Sequence, residues 1–65
     1  MKYDDPRLRV GAVVACPADR GDPAYTGRIE HVGDPVHNPG MSPYRWVTVR
    51  RPGAHASVWS SNRLG

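Results

Sequence analysis

The sequence predicts an all-β domain, and three observations carry that prediction. Seven prolines and seven glycines are spread so evenly that no window long enough for an amphipathic helix survives between them. The segments they bound are rich in Val, Ile, Thr, Tyr and Trp, whose branched or flat side chains suit a pleated surface. Tyr44–Arg51 also alternates, with Val47 and Val49 on one face and Trp46, Thr48 and Arg50 on the other. A chain of 65 residues holds one small domain. Residues 1–7 read as a polar N-terminal tail and residues 8–65 as the folded unit.

The elements follow in order. Leu8–Cys16 is Val-rich and stops at Pro17, which cannot donate to a central ladder, so it reads as the first strand. Residues 17–24 are polar turn formers and predict a loop. Tyr25–Val32 is the second strand, with Gly27 marking a bulge or a close backbone approach. Residues 34–43 carry Pro35, Pro39 and Pro43, which stiffen a loop that either folds over the domain or projects toward a partner. Tyr44–Arg51 is the third strand, with its valine face in the core. Pro52-Gly53 suits the two central positions of a type II turn, which leads into a fourth strand at His55–Trp59. Ser60–Arg63 is too polar for a strand and fits one 3₁₀ turn before a last short strand at Leu64.

Cys16 is the only cysteine, so the chain forms no internal disulfide and no cysteine-based zinc site. Its apolar neighbours mark it as a small core residue rather than a nucleophile. His31, His37 and His55 share no zinc-motif spacing. The longest apolar run, Ala12–Cys16, is far short of the roughly 20 residues that span a bilayer. The acidic N-terminus lacks the apolar core of a secretory signal, so the expected location is cytoplasmic. Arg20-Gly21-Asp22 spells an integrin-type tripeptide, a sequence short enough to recur by chance.

Charge is informative by position. Residues 1–34 hold all six acids and net −1, whereas residues 35–65 hold Arg45, Arg50, Arg51 and Arg63 with no acid and net +4. That asymmetry is a mild footprint for a polyanion. If Val47 and Val49 face inward, Trp46 and Arg50 face outward, with Tyr44, Arg45 and Arg51 adjacent in sequence. Aromatic rings and guanidinium groups on a small β surface stack bases and neutralise phosphates in single-strand binders.

The order of parts resembles a five-stranded SH3-like small barrel with a single 3₁₀ turn before its last strand. The likeness covers residues 8–65. It rests on Val10-Gly11-Ala12-Val13-Val14, on Gly27-Arg28-Ile29 with Val32, on Trp46-Val47-Thr48-Val49, and on Val58-Trp59 with Leu64. These runs look like those shared by Tudor, KOW-type and other SH3-like barrels, a resemblance that implies architecture and leaves function open. Tyr25-Thr26-Gly27-Arg28-Ile29 is also similar to a segment of the plasmid-encoded type II dihydrofolate reductases. In that family the strand matching Ala56-Ser57-Val58-Trp59 carries a ligand-binding Gln where this chain has Ser57. Without the amide's two-point contact, that activity is not expected.

The sequence therefore predicts a non-enzymatic binding module that needs no cofactor. Its expected partner is a nucleic acid, DNA or RNA, bound through a basic and aromatic face of strands three and four, with Tyr44, Arg45, Trp46, Arg50, Arg51 and Arg63 as the contacting residues. The alternative is a protein-interaction module that presents an aromatic cluster, with Trp59, Tyr25 and Tyr44 as a concave patch of the kind that holds proline-rich or methylated peptides, and the 34–43 loop to a partner protein. A homo-oligomer is a third reading, because the edge strands of a small sheet invite pairing. No membrane association is expected.

Overall fold

The computed structural model describes all 65 residues. Strand β1 runs Val13–Cys16, β2 Tyr25–Val32, β3 Trp46–Arg50 and β4 Ala56–Ser60, followed by a 3₁₀ turn at Ser61–Arg63. Each strand pairs antiparallel with the next, giving one four-stranded meander in the order β1-β2-β3-β4. No helix is long and apolar enough to cross a membrane.

The turns follow from their residues. Asp19 and Asp22 exchange two backbone hydrogen bonds of 3.1 and 2.8 Å around Arg20 and Gly21, both at positive φ, so residues 17–24 form a small hairpin. Asn38-Pro39-Gly40-Met41 and Arg51-Pro52-Gly53-Ala54 each close with a 3.1 Å bond from the fourth N–H to the first carbonyl. Pro at the second position and a left-handed Gly at the third make both of these type II turns. Val36 and Tyr44 bridge at the base of the second loop, so it too is a hairpin.

Parity sorts the side chains. Val14, Cys16, Ile29, Val47, Val49, Trp59 and Leu64 form the buried core. Val13, Arg28, Thr48, Arg50, Trp46 and Val58 fall on the opposite face. Gly27 lies on the inner face, where a Cβ would stand 2.5 Å from Val49 Cγ1 and 2.7 Å from the Arg50 carbonyl oxygen. It marks the close approach the sequence suggested. The bulge lies further along, at Glu30, between the Ile29–Val49 and His31–Thr48 pairs, and it leaves Glu30 and His31 both exposed.

Two expectations are corrected. Leu8–Ala12 is not strand: Leu8 N–H bonds the Asp5 carbonyl, Ala12 N–H bonds the Arg9 carbonyl, and Gly11 takes φ +92°. These local turns bend the segment, so that only Gly11 and Ala12 still bond across to Ile29, and β1 begins at Val13. Nor is there a fifth strand or a closed barrel. After the 3₁₀ turn only Leu64 and Gly65 continue. Gly65 exchanges a pair of 3.0 Å backbone bonds with Ala15 on β1, a single pairing where a strand would make several. Leu64 is buried beneath this contact, and Ala15 lies 3.9 Å from the position a Gly65 Cβ would take.

Candidate functional site

Strand β4 is a sheet edge, and the ladder shows which of its backbone groups are free. Ser61 N–H donates to the Arg45 carbonyl at 2.9 Å, which makes Arg45–Ser61 a hydrogen-bonded pair. By alternation Val47–Trp59 and Val49–Ser57 are also hydrogen-bonded, so the N–H and C=O of Ala56 and Val58 point away from the sheet.

A groove of about 520 Å3 runs beside this edge. The 17–24 hairpin contributes Pro17, Asp19, Asp22 and Pro23, and the β3–β4 turn contributes Arg51, Ala54 and His55. Tyr25, Trp46, Arg63 and residues 57–60 complete its lining. In its wall the Trp59 Nε1–H donates to the Tyr25 hydroxyl at 3.1 Å, and the two rings meet edge-on with centroids 6.2 Å apart. The Arg51 guanidinium lies 4.9 Å above the Tyr25 ring and that of Arg63 5.1 Å above Trp59. Each ring thus holds a cation in place by its negative face. Arg63 also approaches Asp19 at 3.6 Å, whereas Arg51 makes no ion pair.

Trp46 is half exposed and meets the Tyr44 ring edge-on at 5.2 Å. It belongs to the groove and also to a second hollow lined by Met41, Ser42, Tyr44, Ser60 and Asn62. The two hollows share Trp46 and Ser60, so the ring stands between them.

The six residues singled out from the sequence therefore separate into three groups. Trp46, Arg51 and Arg63 meet at the groove, with Tyr44 beside Trp46. Arg50 is turned to Glu30, donating from Nε to Oε1 and from Nη2 to Oε2 at 3.2 Å, and from Nη1 to the Ala54 carbonyl at 3.3 Å. This contact holds the Glu30 carboxyl below its ordinary pKa. Arg45 faces inward as a clamp, its Nε donating to the Tyr3 carbonyl at 2.8 Å and its Nη1 to the Gly33 carbonyl at 3.0 Å. Its own N–H donates to the Ser61 Oγ at 3.0 Å, which fastens the 3₁₀ turn to β3. With the Met1 amine on the Leu64 carbonyl and Tyr3 edge-on to His37 at 5.6 Å, the first residues are tied to the sheet.

The sequence suggested Tyr25 and Trp59 as members of one aromatic patch, and the two rings do meet, but nothing in it pointed to their role as supports of Arg51 and Arg63. The signal was weak: an aromatic at the start of β2 and another near the end of β4, neighbours only once β1–β4 are in register. Ser57, where the reductase likeness places a ligand-binding Gln, does line the groove, but with a short hydroxyl side chain. Cys16 is buried and burial pushes its thiol up, so it stays protonated. No group of three or more His, Cys, Asp or Glu side chains gathers as metal ligands would. No known protein family matches the chain, and no characterised protein or solved structure is significantly similar to it. What stands is a small all-β domain with a four-stranded antiparallel sheet and a groove on its free edge.

Proposed function

We propose that this chain is a small non-enzymatic module that binds nucleic acid along the β4 edge. One observation carries the reading: of the residues the sequence nominated, Trp46 at the start of β3, Arg51 just past its end and Arg63 in the 3₁₀ turn after β4 line the same groove. Arg51 and Arg63 offer planar N–H forks suited to phosphate oxygens, and stacking on Tyr25 and Trp59 reduces the freedom lost when a ligand binds. Trp46 offers a ring for a base or sugar. The groove volume falls within the roughly 300–1,000 Å3 typical of small-ligand sites, room for a nucleotide unit. The 3₁₀ turn followed by the Ala15–Gly65 pair supports kinship with SH3-like domains, whose architecture is compatible with this role.

The test is fluorescence anisotropy with labelled oligonucleotides at two salt concentrations. Binding that weakens with salt is expected, and Arg51→Ala with Arg63→Ala should remove about 1.4–1.8 from the slope of log K against log salt, the share of two phosphates. An unchanged slope would count against the reading. A second reading is favoured by the free backbone of β4 and the exposed Val58 and Met41: a partner protein adds an extended segment to this edge and reaches toward the 34–43 loop. Its signature is salt-insensitive binding to a protein and none to oligonucleotides.

A further inference from the structure

Resting on the nucleic-acid reading, we infer that the ligand is single-stranded and that it crosses the β4 edge with a base stacked on Trp46. The first argument is which rings are free. Tyr25 and Trp59 already have guanidinium groups over them, and Trp59 is buried, whereas Trp46 is 50% exposed, has no guanidinium over it and meets the Tyr44 ring edge-on. A duplex keeps its base faces stacked inside and offers a flat ring nothing to stack on; an unpaired base does.

The second argument is shape. Reading a duplex groove requires a helix or a projecting ribbon, with basic side chains on the phosphates. The chain's one helical element is a single 3₁₀ turn. Of its three hairpins, one carries Arg20 at its tip between Asp19 and Asp22, the second ends in the uncharged Asn38-Pro39-Gly40-Met41 turn, and the third turns at Arg51-Pro52-Gly53-Ala54. The first two tips have no net positive charge, and the one arginine of the third turn lies over the Tyr25 ring. The two hollows that share Trp46 and Ser60 instead lie side by side, an arrangement suited to a linear chain that passes the ring. Along it the free N–H and C=O of Val58 present a donor and an acceptor to the edge of an unpaired base. Asp19 opposes the phosphates, and its 3.6 Å contact with Arg63 makes it a competitor for the same guanidinium.

The experiment compares single-stranded DNA, single-stranded RNA and a duplex of the same sequence by anisotropy at low salt. It uses the wild-type chain and the Trp46→Ala, Trp46→Phe and Asp19→Asn variants, with far-UV circular dichroism as the check on folding. Either single strand is expected to bind at least about tenfold more tightly than the duplex and to quench tryptophan emission. Trp46→Ala should lose about tenfold on the single strand and nothing on the duplex, Trp46→Phe should restore most of that loss, and Asp19→Asn should tighten binding. Equal affinity for duplex and single strand, with Trp46→Ala silent, would overturn the single-strand inference and leave the nucleic-acid reading intact. No binding of any oligonucleotide would overturn both.

Discussion

Trp46 and Trp59 sit on adjacent, paired strands yet do opposite work. Trp59 stands across from Val47 on the inner face, 8% exposed and hydrogen-bonded to Tyr25, while Trp46 stands across from Ser60 on the outer face, half exposed. Strand parity alone separates them, since neighbouring positions on a strand face opposite sides. The arginines divide in a parallel way. Arg45 and Arg50 are consumed by the fold, one on backbone carbonyls and one on Glu30, whereas Arg51 and Arg63 rest on rings beside the groove. Residue type nominates a site; the partner each side chain finds decides whether it is available.

The comparison breaks most sharply at the tryptophans. Trp59→Ala should cost about 3–5 kcal/mol, a large share of the stability of so small a domain, and urea denaturation should show a lowered midpoint or an unfolded chain. Trp46→Ala should cost no more than about 1 kcal/mol in the same assay. Equal losses would mean that the outer ring is structural as well. Gly27 tests how close the strands beneath the groove must come: Gly27→Ala puts a methyl group against backbone at Arg50, and a loss of about 1–3 kcal/mol is expected by thermal melting.

The arginines give the next contrast. Arg45→Met removes two charge-assisted bonds to carbonyls and should destabilise by about 1.5–3 kcal/mol, while Arg51→Ala loses a cation–ring contact of about 0.5–1 kcal/mol and acts mainly on binding. Denaturation midpoints beside oligonucleotide affinities would separate the two roles. The smallest effect is on pH. Arg7 holds the Asp5 carboxyl down to about 2, chiefly through its side-chain hydrogen bond, and Arg50 lowers that of Glu30 in the same manner. The unfolded chain therefore binds more protons in acid, and stability from these pairs is present above the ordinary carboxylate range and lost as pH falls toward the folded values. Tm measured from pH 5 to pH 3 should decline slightly less in Asp5→Asn and Glu30→Gln than in wild type.

Much of the fold was legible because it rests on local chemistry. Tyr25–Val32 forms β2 with the predicted bounds, Val47 and Val49 are fully buried, Pro52-Gly53 makes its type II turn, and the 3₁₀ turn falls at Ser61–Arg63. The first strand was overrun because Leu8, Val10 and Ala12 look strand-like one at a time, while Gly11 and the Asp5 and Arg9 carbonyls turn the chain locally. Whether Trp59 or Val58 faces inward was open in the sequence, since both are apolar and the strand is short. The site was legible only in part, because its residues lie far apart in the chain.

What the sequence by itself determined is the all-β character, the turns set by Pro and Gly, and the valine face of β3, since each follows from φ restriction or alternation over a few residues. Tertiary structure alone decided which of the nominated arginines face the groove. The Glu30 bulge brings a carboxylate from β2 to Arg50, and the Tyr3 and Gly33 carbonyls close on Arg45. Strand register sets Tyr25 and Trp59 beneath Arg51 and Arg63, and those distances belong to the folded sheet, not to spacing along the chain.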